Sequence, residues 1–355
     1  MRTLTAADAF CGSGGLSIGL KAAGFDVKLS FDIEETCIKT LSNNPRYISH
    51  NVLQADVREM LNGQFLKNAN IKKGDLDLLA GGPPCQGFSV QRTIGEDKDS
   101  RNLLVDDYGD LIEEVFPRFF LLENVPGIGG KRGRKIIDSF EDRMDSLGYY
   151  CHRNILDAQN YGVPQRRRRF LMVGERRDYD KPFFSWPLET YAPSLSVRDT
   201  IQMLPPPPLD GKDHIDYPGH RADRLSALNL ERIRSLKDGQ ARQDLPKHLL
   251  ANCHRVSADK IGHRNVYGRM AWDEVAPTIT ARFDSFTRGK FGHPEQDRSI
   301  SLYEGALLQT FPKDYVFTGT KVQIARQIGN AVPPNFAKAL GEAVKSCIES
   351  IEASK

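Results

Sequence analysis

Leu4-Thr5-Ala6-Ala7-Asp8-Ala9-Phe10-Cys11-Gly12-Ser13-Gly14-Gly15 is the stretch on which the fold turns. Leu4–Phe10 is an apolar run of strand length that stops on a cluster of glycines. Leu16–Ala23 follows as a helix ended near Gly24, and Asp26–Phe31 reads as a second strand. The glycines therefore open a helix directly after a strand, where bare backbone lets a ligand come close in nucleotide-binding α/β folds. Asp32 ends the second strand, and a carboxylate there can accept hydrogen bonds from ribose hydroxyls. Ser17 stands at the third glycine position of the dinucleotide pattern, which weakens a pyrophosphate reading and leaves room for another adenosine cofactor.

Working outward, Thr36–Asn43 reads as a helix, and Asp77–Ala80 as a strand that runs into Gly81-Gly82-Pro83-Pro84. Phe119–Glu123 is a further strand, Lys135–Leu147 a helix and Arg169–Gly174 a strand. Strands alternating with helices imply a mostly parallel sheet covered on both faces, an α/β fold. The pattern then changes. Pro182, Pro187, Pro193 and Pro205–Pro208 exclude long helices, and Gly211–Glu274 is polar, with 12 Lys+Arg against 9 Asp+Glu. Residues 1–187 are expected to form the catalytic and cofactor-binding domain and 188–318 a smaller, irregular one. Pro334–Ile351 carries Phe336, Leu340, Val344 and Ile348 at helical spacing, so 319–355 is expected to return to the first domain.

The chain has 355 residues with a net charge of +3, and its 39% hydrophobic and 27% charged content fits folded domains and excludes a disordered protein. No apolar run approaches the roughly 18 residues that span a bilayer. The first residues lack the apolar core of a secretion signal, so a cytoplasmic location and no membrane partner are expected. Cys11, Cys37, Cys85, Cys151, Cys253 and Cys347 are scattered without a C-x-x-C pair, which suits neither zinc nor a disulfide scaffold. No metal is implied. Cys85 is different from the rest. Asp77–Ser89 places it just past a strand end, behind Pro83-Pro84 and ahead of Gln86-Gly87-Phe88-Ser89, a setting hard to explain as packing.

Taken in order, Asp8–Gly15, Gly82–Ser89, Glu123-Asn124-Val125-Pro126-Gly127, Gln165–Arg169 and Gly329-Asn330-Ala331-Val332 resemble the motifs of the DNA (cytosine-5)-methyltransferases of bacterial modification type. The resemblance covers almost the whole chain. It implies a class I S-adenosylmethionine-dependent methyltransferase, with a Rossmann-like sheet and a small target-recognition domain. Cys85 would be the nucleophile that adds to cytosine carbon-6 and so activates carbon-5 towards the cofactor's methyl group. Glu123 would act at ring nitrogen 3 as a protonated donor, which burial favours. Arg167 and Arg169, two apart on a presumed strand, would face one side and orient the base, hold Glu123 or touch phosphate. The resemblance favours Arg169 beside the cytosine and Arg167 near it.

The same resemblance assigns the S-adenosylmethionine contacts to Phe10, Gly12, Gly14, Gly15, Leu16, Asp32, Ile33, Asp56, Val57, Pro84, Asn330 and Ala331. Ile33 departs from the pattern, since many relatives carry there an aromatic ring that stacks on adenine. Gln86–Leu103 looks like the loop that closes on a base flipped out of duplex DNA, with Gln86, Ser89, Arg92 and Arg101 as DNA contacts. Thr278 and Thr280 close the target-recognition region, 211–273. The expected setting is a monomer acting on double-stranded DNA, paired or not with a cognate restriction endonuclease. An RNA-directed enzyme is the nearest rival, but the Cys-Phe-Thr segment usual in that group is missing. A non-catalytic regulator or a nicotinamide oxidoreductase explains fewer of the motifs.

Overall fold

The computed structural model describes residues 2–84, 103–130, 133–189, 194–208, 210–251 and 266–353. Seven strands form one sheet: β1 (Leu4–Ala9), β2 (Phe25–Asp32), β3 (Asn51–Gln54), β4 (Leu78–Gly81), β5 (Phe119–Asn124), β6 (Tyr149–Asp157) and β7 (Arg168–Arg176). Their order is β3-β2-β1-β4-β5-β7-β6. The first five strands pair in parallel, and β7 runs antiparallel to both β5 and β6. The strand order reverses between β1 and β4, so the loops leaving those two strands diverge and open a crevice. The glycine loop follows β1, and the approach to Cys85 follows β4.

The apolar strands are buried because helices cover them. The helices of this region are α1 (Gly15–Ala22), α2 (Glu35–Ser42), α3 (Gln64–Ala69), α4 (Leu103–Val115) and α5 (Arg134–Ser146), with α10 (Pro334–Ala353) added from the far end of the chain. Leu29, Phe31, Leu79, Phe120, Leu122 and Met172 of the sheet share one core with Tyr108, Ile112, Ile137 and Phe140 of α4 and α5. Elsewhere α1 and α10 meet backbone to backbone: a Cβ on Gly19 would lie 2.4 Å from Ala337 Cβ and 2.5 Å from the Pro334 carbonyl oxygen.

Two compact units result. The first comprises Met1–Tyr161, Arg168–Glu189 and Val332–Lys355, and the second Gly162–Arg167 and Thr190–Ala331. These limits differ from the boundaries read in the sequence. The strip Gly162–Arg167 and the helix α9 (Lys321–Asn330) belong to the second unit. The second unit also holds α6 (Val197–Ile201), α7 (Ala227–Arg234) and α8 (Leu302–Leu308) and is otherwise irregular. Ile233, Leu236, Leu245 and Phe286 form one apolar cluster in it, and Met270, Ile279, Phe283, Leu308 and Ile328 are buried as well. Buried polar ties supplement them. Arg269 donates to the carbonyls of Leu236, His293 and Gln296, and Arg298 makes a two-pronged bond to Glu304 at 2.7 Å on each arm.

Candidate active site

The glycine loop is held by its own backbone. The Cys11 amide donates to the Phe31 carbonyl, and the Gly14 amide to that of Cys11. Phe10, Gly12 and Gly14 have φ of 59°, 51° and 81°, left-handed values that glycine adopts without strain. A Cβ on Gly12 would meet no atom within 4 Å, so the backbone there borders open space. Gly15 and Leu16, both buried, begin α1. The Phe10 ring packs between Phe31 and Tyr108, with centroids 6.2 and 6.1 Å away.

Asp32 closes the loop from the next strand. Its Oδ2 accepts from the Gly12 amide at 2.8 Å and its Oδ1 from the Glu34 amide at 2.9 Å. Ile33 follows with 61% of its surface exposed, an aliphatic face beside a carboxylate. Asp56 caps the 3-10 turn Val57–Met60, accepting from the Arg58 amide, while Glu59 accepts from the Asp56 amide. Val57 is buried. An exposed apolar side chain, a carboxylate at a strand end and bare glycine backbone are together the surfaces an adenosine cofactor with a methionine tail requires, so these residues fit S-adenosylmethionine.

The second cluster lies at the ends of β4, β5 and β7. Glu123 and Asn124 end β5 and are buried, at 9% and 5% exposure. Arg169 Nε lies 2.7 Å from Glu123 Oε1, and its Nη1 donates to the Arg168 carbonyl. The other carboxylate oxygen, Glu123 Oε2, would lie 3.2 Å from a Cβ on Gly82, so a side chain there would press on it. Asn124 Nδ2 donates to the Pro83 carbonyl and its Oδ1 accepts from the Val125 amide, each at 2.9 Å. Asn124 therefore ties the strand carrying Glu123 to the segment Pro83-Pro84, which leads to Cys85. Cys85 itself, with Gln86, Ser89, Arg92 and Arg101, lies outside the described residues. Among the described thiols, burial pushes Cys11 far up and Cys151 and Cys347 up to about 12, so none of these three is a nucleophile at neutral pH.

Arg167 does not join Arg169. The strand β7 starts at Arg168, so the two arginines are not alternate positions of one strand, and Arg167 falls in the second unit. Its fully buried guanidinium donates to the carbonyls of Ile279 at 3.0 Å, Gly329 at 3.0 Å and Ala331 at 2.8 Å. Gly329 is in the last turn of α9 and Ala331 caps it, so a cation meets the carbonyl end of a helix. In this structure the side chain braces backbone. Arg166 and Arg168 are exposed.

Around Arg167 the second unit holds other residues expected at the site. Thr278 Oγ1 donates to the Arg166 carbonyl at 2.6 Å. The Thr280 backbone passes so close to Gly329 that a Cβ there would lie 2.2 Å from it. Asn330 is exposed at the end of α9 and Ala331 is half-buried. Gln165 and Gln309 were not singled out by sequence, yet both are fully buried. Gln165 accepts from the Ile279 amide and donates to the Leu308 carbonyl and to Gln309 Oε1. Gln165 could have been found only through the Gln-x-Arg spacing. Tyr108 was missed in the first unit: its hydroxyl lies 3.0 and 3.1 Å from the carbonyls of Leu79 and Leu121, pinning β4 to β5 below the site.

A family model for C-5 cytosine-specific DNA methylases matches residues 4–346. The Type II methylase M.HgiDII of Herpetosiphon aurantiacus is 34% identical over 350 residues, covering 97% of this chain and 96% of that protein. The Type II methyltransferase M1.HphI of Haemophilus parahaemolyticus is 33% identical, covering 96% of this chain and 87% of its own. Among solved structures, a prophage-encoded E. coli protein described as a DNA modification methyltransferase superposes with a TM-score of 0.72 at 26% identity, over 98% of this chain and all of that one. The S. pombe Dnmt2 methyltransferase shares the fold at a TM-score of 0.60 and 16% identity, over 98% of this chain and 99% of that one.

Proposed function

Because this chain belongs to the C-5 cytosine-specific DNA methylases, and is thus an S-adenosylmethionine-dependent DNA (cytosine-5)-methyltransferase, we propose that it modifies one cytosine within a defined duplex sequence, flipped out of the helix. Cys85 is the nucleophile, a choice supported by its place directly after Pro83-Pro84, the segment that Asn124 ties to the strand carrying Glu123. The observation that carries the reading is the buried Glu123–Arg169 pair at the ends of β5 and β7, tied through Asn124 to the segment before Cys85.

The chemistry follows from what these groups can do. Cys85 Sγ, as thiolate, adds to cytosine carbon-6 and pushes electron density towards carbon-5 and nitrogen-3. Glu123, in its acid form, supplies a hydrogen bond at nitrogen-3, while Arg169 fixes the carboxyl group's orientation through Oε1 and leaves Oε2 beside Gly82. The bound cofactor supplies an electrophilic methyl group on a sulfonium. With carbon-5 methylated and the sulfonium left as a neutral thioether, the carbon-5 proton would go to water and Sγ would depart as the ring double bond reforms. Asp32 would hold the ribose, Ile33 would pack on the adenine, and Asp56 would meet its amine. Arg167 acts as a positioning residue for the segment Gly329–Ala331.

Target recognition falls to the second unit, within 211–273, with Thr278 and Thr280 at its close and Gln86, Ser89, Arg92 and Arg101 contacting DNA from the loop after Cys85. The enzyme acts as a cytoplasmic monomer, and the Type II names of its relatives support a modification role beside a cognate restriction endonuclease. Incubating the chain with S-adenosylmethionine and unmethylated genomic DNA, followed by bisulfite sequencing, tests the proposal. Protection of one cytosine in a short recurring sequence is expected. Cys85→Ser is expected to abolish protection while keeping DNA binding, and undiminished protection in that variant would overturn the mechanism.

A further inference from the structure

A polar column runs under the glycine loop, through the core of the first unit. Asp8 and Ser30 face each other across β1 and β2. Ser17, from α1, joins them: its hydroxyl oxygen lies 2.5 Å from Asp8 Oδ2 and 2.9 Å from Ser30 Oγ. Ser30 Oγ lies 2.7 Å from Nε2 of the half-buried His50. Asp8, Ser17 and Ser30 are each at most 1% exposed. The other carboxyl oxygen, Asp8 Oδ1, is buried and has no hydrogen-bond partner. A bare, buried oxygen on an ionised carboxylate is costly, so the column as built favours a proton on Asp8.

The surroundings agree. Burial, with the Asp32 carboxylate nearby, pushes the Asp8 carboxyl up to about 7 even though Ser17 hydrogen-bonds to it. The titratable groups facing Asp8 are Asp32 at the end of β2, the Cys11 thiol in the loop and the Tyr108 phenol of α4, and none is a cation. Lys21 of α1 and Asp26 of β2 flank only the His50 end, where burial first and Lys21 second hold the imidazole down at about 4. His50 is therefore neutral and able to relay a proton without keeping it.

We propose that Asp8 is a proton-linked anchor of the cofactor loop, neutral in the empty protein and ionised when the cationic cofactor occupies the loop, its proton leaving through Ser17, Ser30 and His50. The step balances along the column. The Asp8 O–H bond breaks as Ser17 Oγ takes the proton and gives its own to Ser30 Oγ, which gives its own to His50 Nε2. The imidazole then sheds its Nδ1 proton to water. One proton reaches solvent, a carboxylate remains, and every hydrogen bond in the column has reversed direction. The positive charge of a bound cofactor, acting through a low-dielectric interior, would supply the driving force.

The inference rests on the cofactor reading above, and calorimetry separates the two. S-adenosylmethionine is titrated into the intact chain at about pH 6, where the cofactor's own ammonium stays protonated, in buffers of different ionisation enthalpy. The expected slope is release of close to one proton per cofactor in the wild type and about none in Asp8→Asn. Clear binding heat with no proton release, or the same release in the variant, overturns the proposal. No binding heat from the wild type overturns the cofactor reading and this inference with it. Imidazole nitrogen-15 shifts of His50 provide a readout in the unaltered protein. Nε2 is expected to carry no proton in the empty state and to carry one when loaded, and an unchanged tautomer refutes the route.

Discussion

Exchanging Arg167 for lysine keeps the charge and removes the fork. The guanidinium now reaches three carbonyls, those of Ile279, Gly329 and Ala331, from a position without solvent exposure. A single ammonium on a shorter reach cannot serve Ile279 and the end of α9 together. Each hydrogen bond to a charged group contributes about 1.5–3 kcal/mol, so Arg167→Lys is expected to destabilise by about 2–3 kcal/mol. Arg167→Met leaves all three carbonyls to find other partners, at about 4.5–9 kcal/mol in sum, a large part of the roughly 5–15 kcal/mol that hold a protein folded. The chain's two tryptophans make this measurable unit by unit. Trp272 lies in the second unit, 5.2 Å from the His293 ring, and Trp186 in the first, 5.1 Å from Phe184. In a Trp186→Phe background, urea unfolding followed by Trp272 fluorescence should move its midpoint down by about 1–2 M for the lysine variant. A lysine variant within 0.5 kcal/mol of the parent (on the ~1 kcal/mol scale of a single bond) would refute the bracing role. So would unchanged stability accompanied by a hundred-fold loss of turnover (on the order of one lost transition-state contact), which would return Arg167 to the base.

Glu123→Gln keeps the shape and removes the acid, so methyl transfer should fall by about 10²–10⁴-fold with DNA affinity retained, measured by tritiated-methyl incorporation and gel shift. Gly19→Ala should destabilise the first unit by about 1–3 kcal/mol, since its Cβ has nowhere to go between Ala337 and the Pro334 carbonyl; Trp186 fluorescence in urea reads it, and an unchanged midpoint would contradict the packing. Asp77 is buried, which raises its carboxyl, but bonds from Arg2 and the Thr5 amide, with Arg118 nearby, more than offset this and leave it lowered. A lowered folded value stabilises the protein above the ordinary carboxylate range and ceases to do so as acid titrates the folded group. Asp77→Asn should therefore cost stability at pH 7, and the gap from wild type should close on acidification; a gap independent of pH would contradict the assignment.

How far the sequence could be read depended on burial. β1, β4, β5 and the middle of β7 are legible because both their faces are covered and they run largely apolar, and β2 because its apolar residues alternate with Asp26 and Lys28 before the buried Leu29–Phe31. β3 and β6 were missed because they are the two edges. Asn51-Val52-Leu53-Gln54 is four residues long with exposed ends, and Tyr149–Asp157 is mostly half-exposed and polar. α4 escaped notice because Asp106, Asp107, Asp110, Glu113 and Glu114 mask its apolar face, and Gly109 sits in its middle. In the site, Glu123 and Asp32 were readable as acids at strand ends. The expected alternation of Arg167 with Arg169 does not apply, because β7 begins one residue after Arg167. Asp8 was quoted as part of a motif but not recognised as a titrating group, since only the three-dimensional column shows what lies against it.

The placement of α10 has a consequence for how the enzyme is made. The helix that closes on α1 comes from residues 334–353, while the loop it helps support begins at residue 10. On the ribosome, the strands and glycine loop emerge first, then the whole of Thr190–Ala331, and only afterwards the helix that seats against Gly19 and Ala23. The first unit therefore waits, with one flank of α1 uncovered, until the second has been synthesised. A chain interrupted within the second unit lacks the partner of α1. In such a product the flank of α1 at Gly19 and Ala23, shaped to admit another backbone, faces solvent.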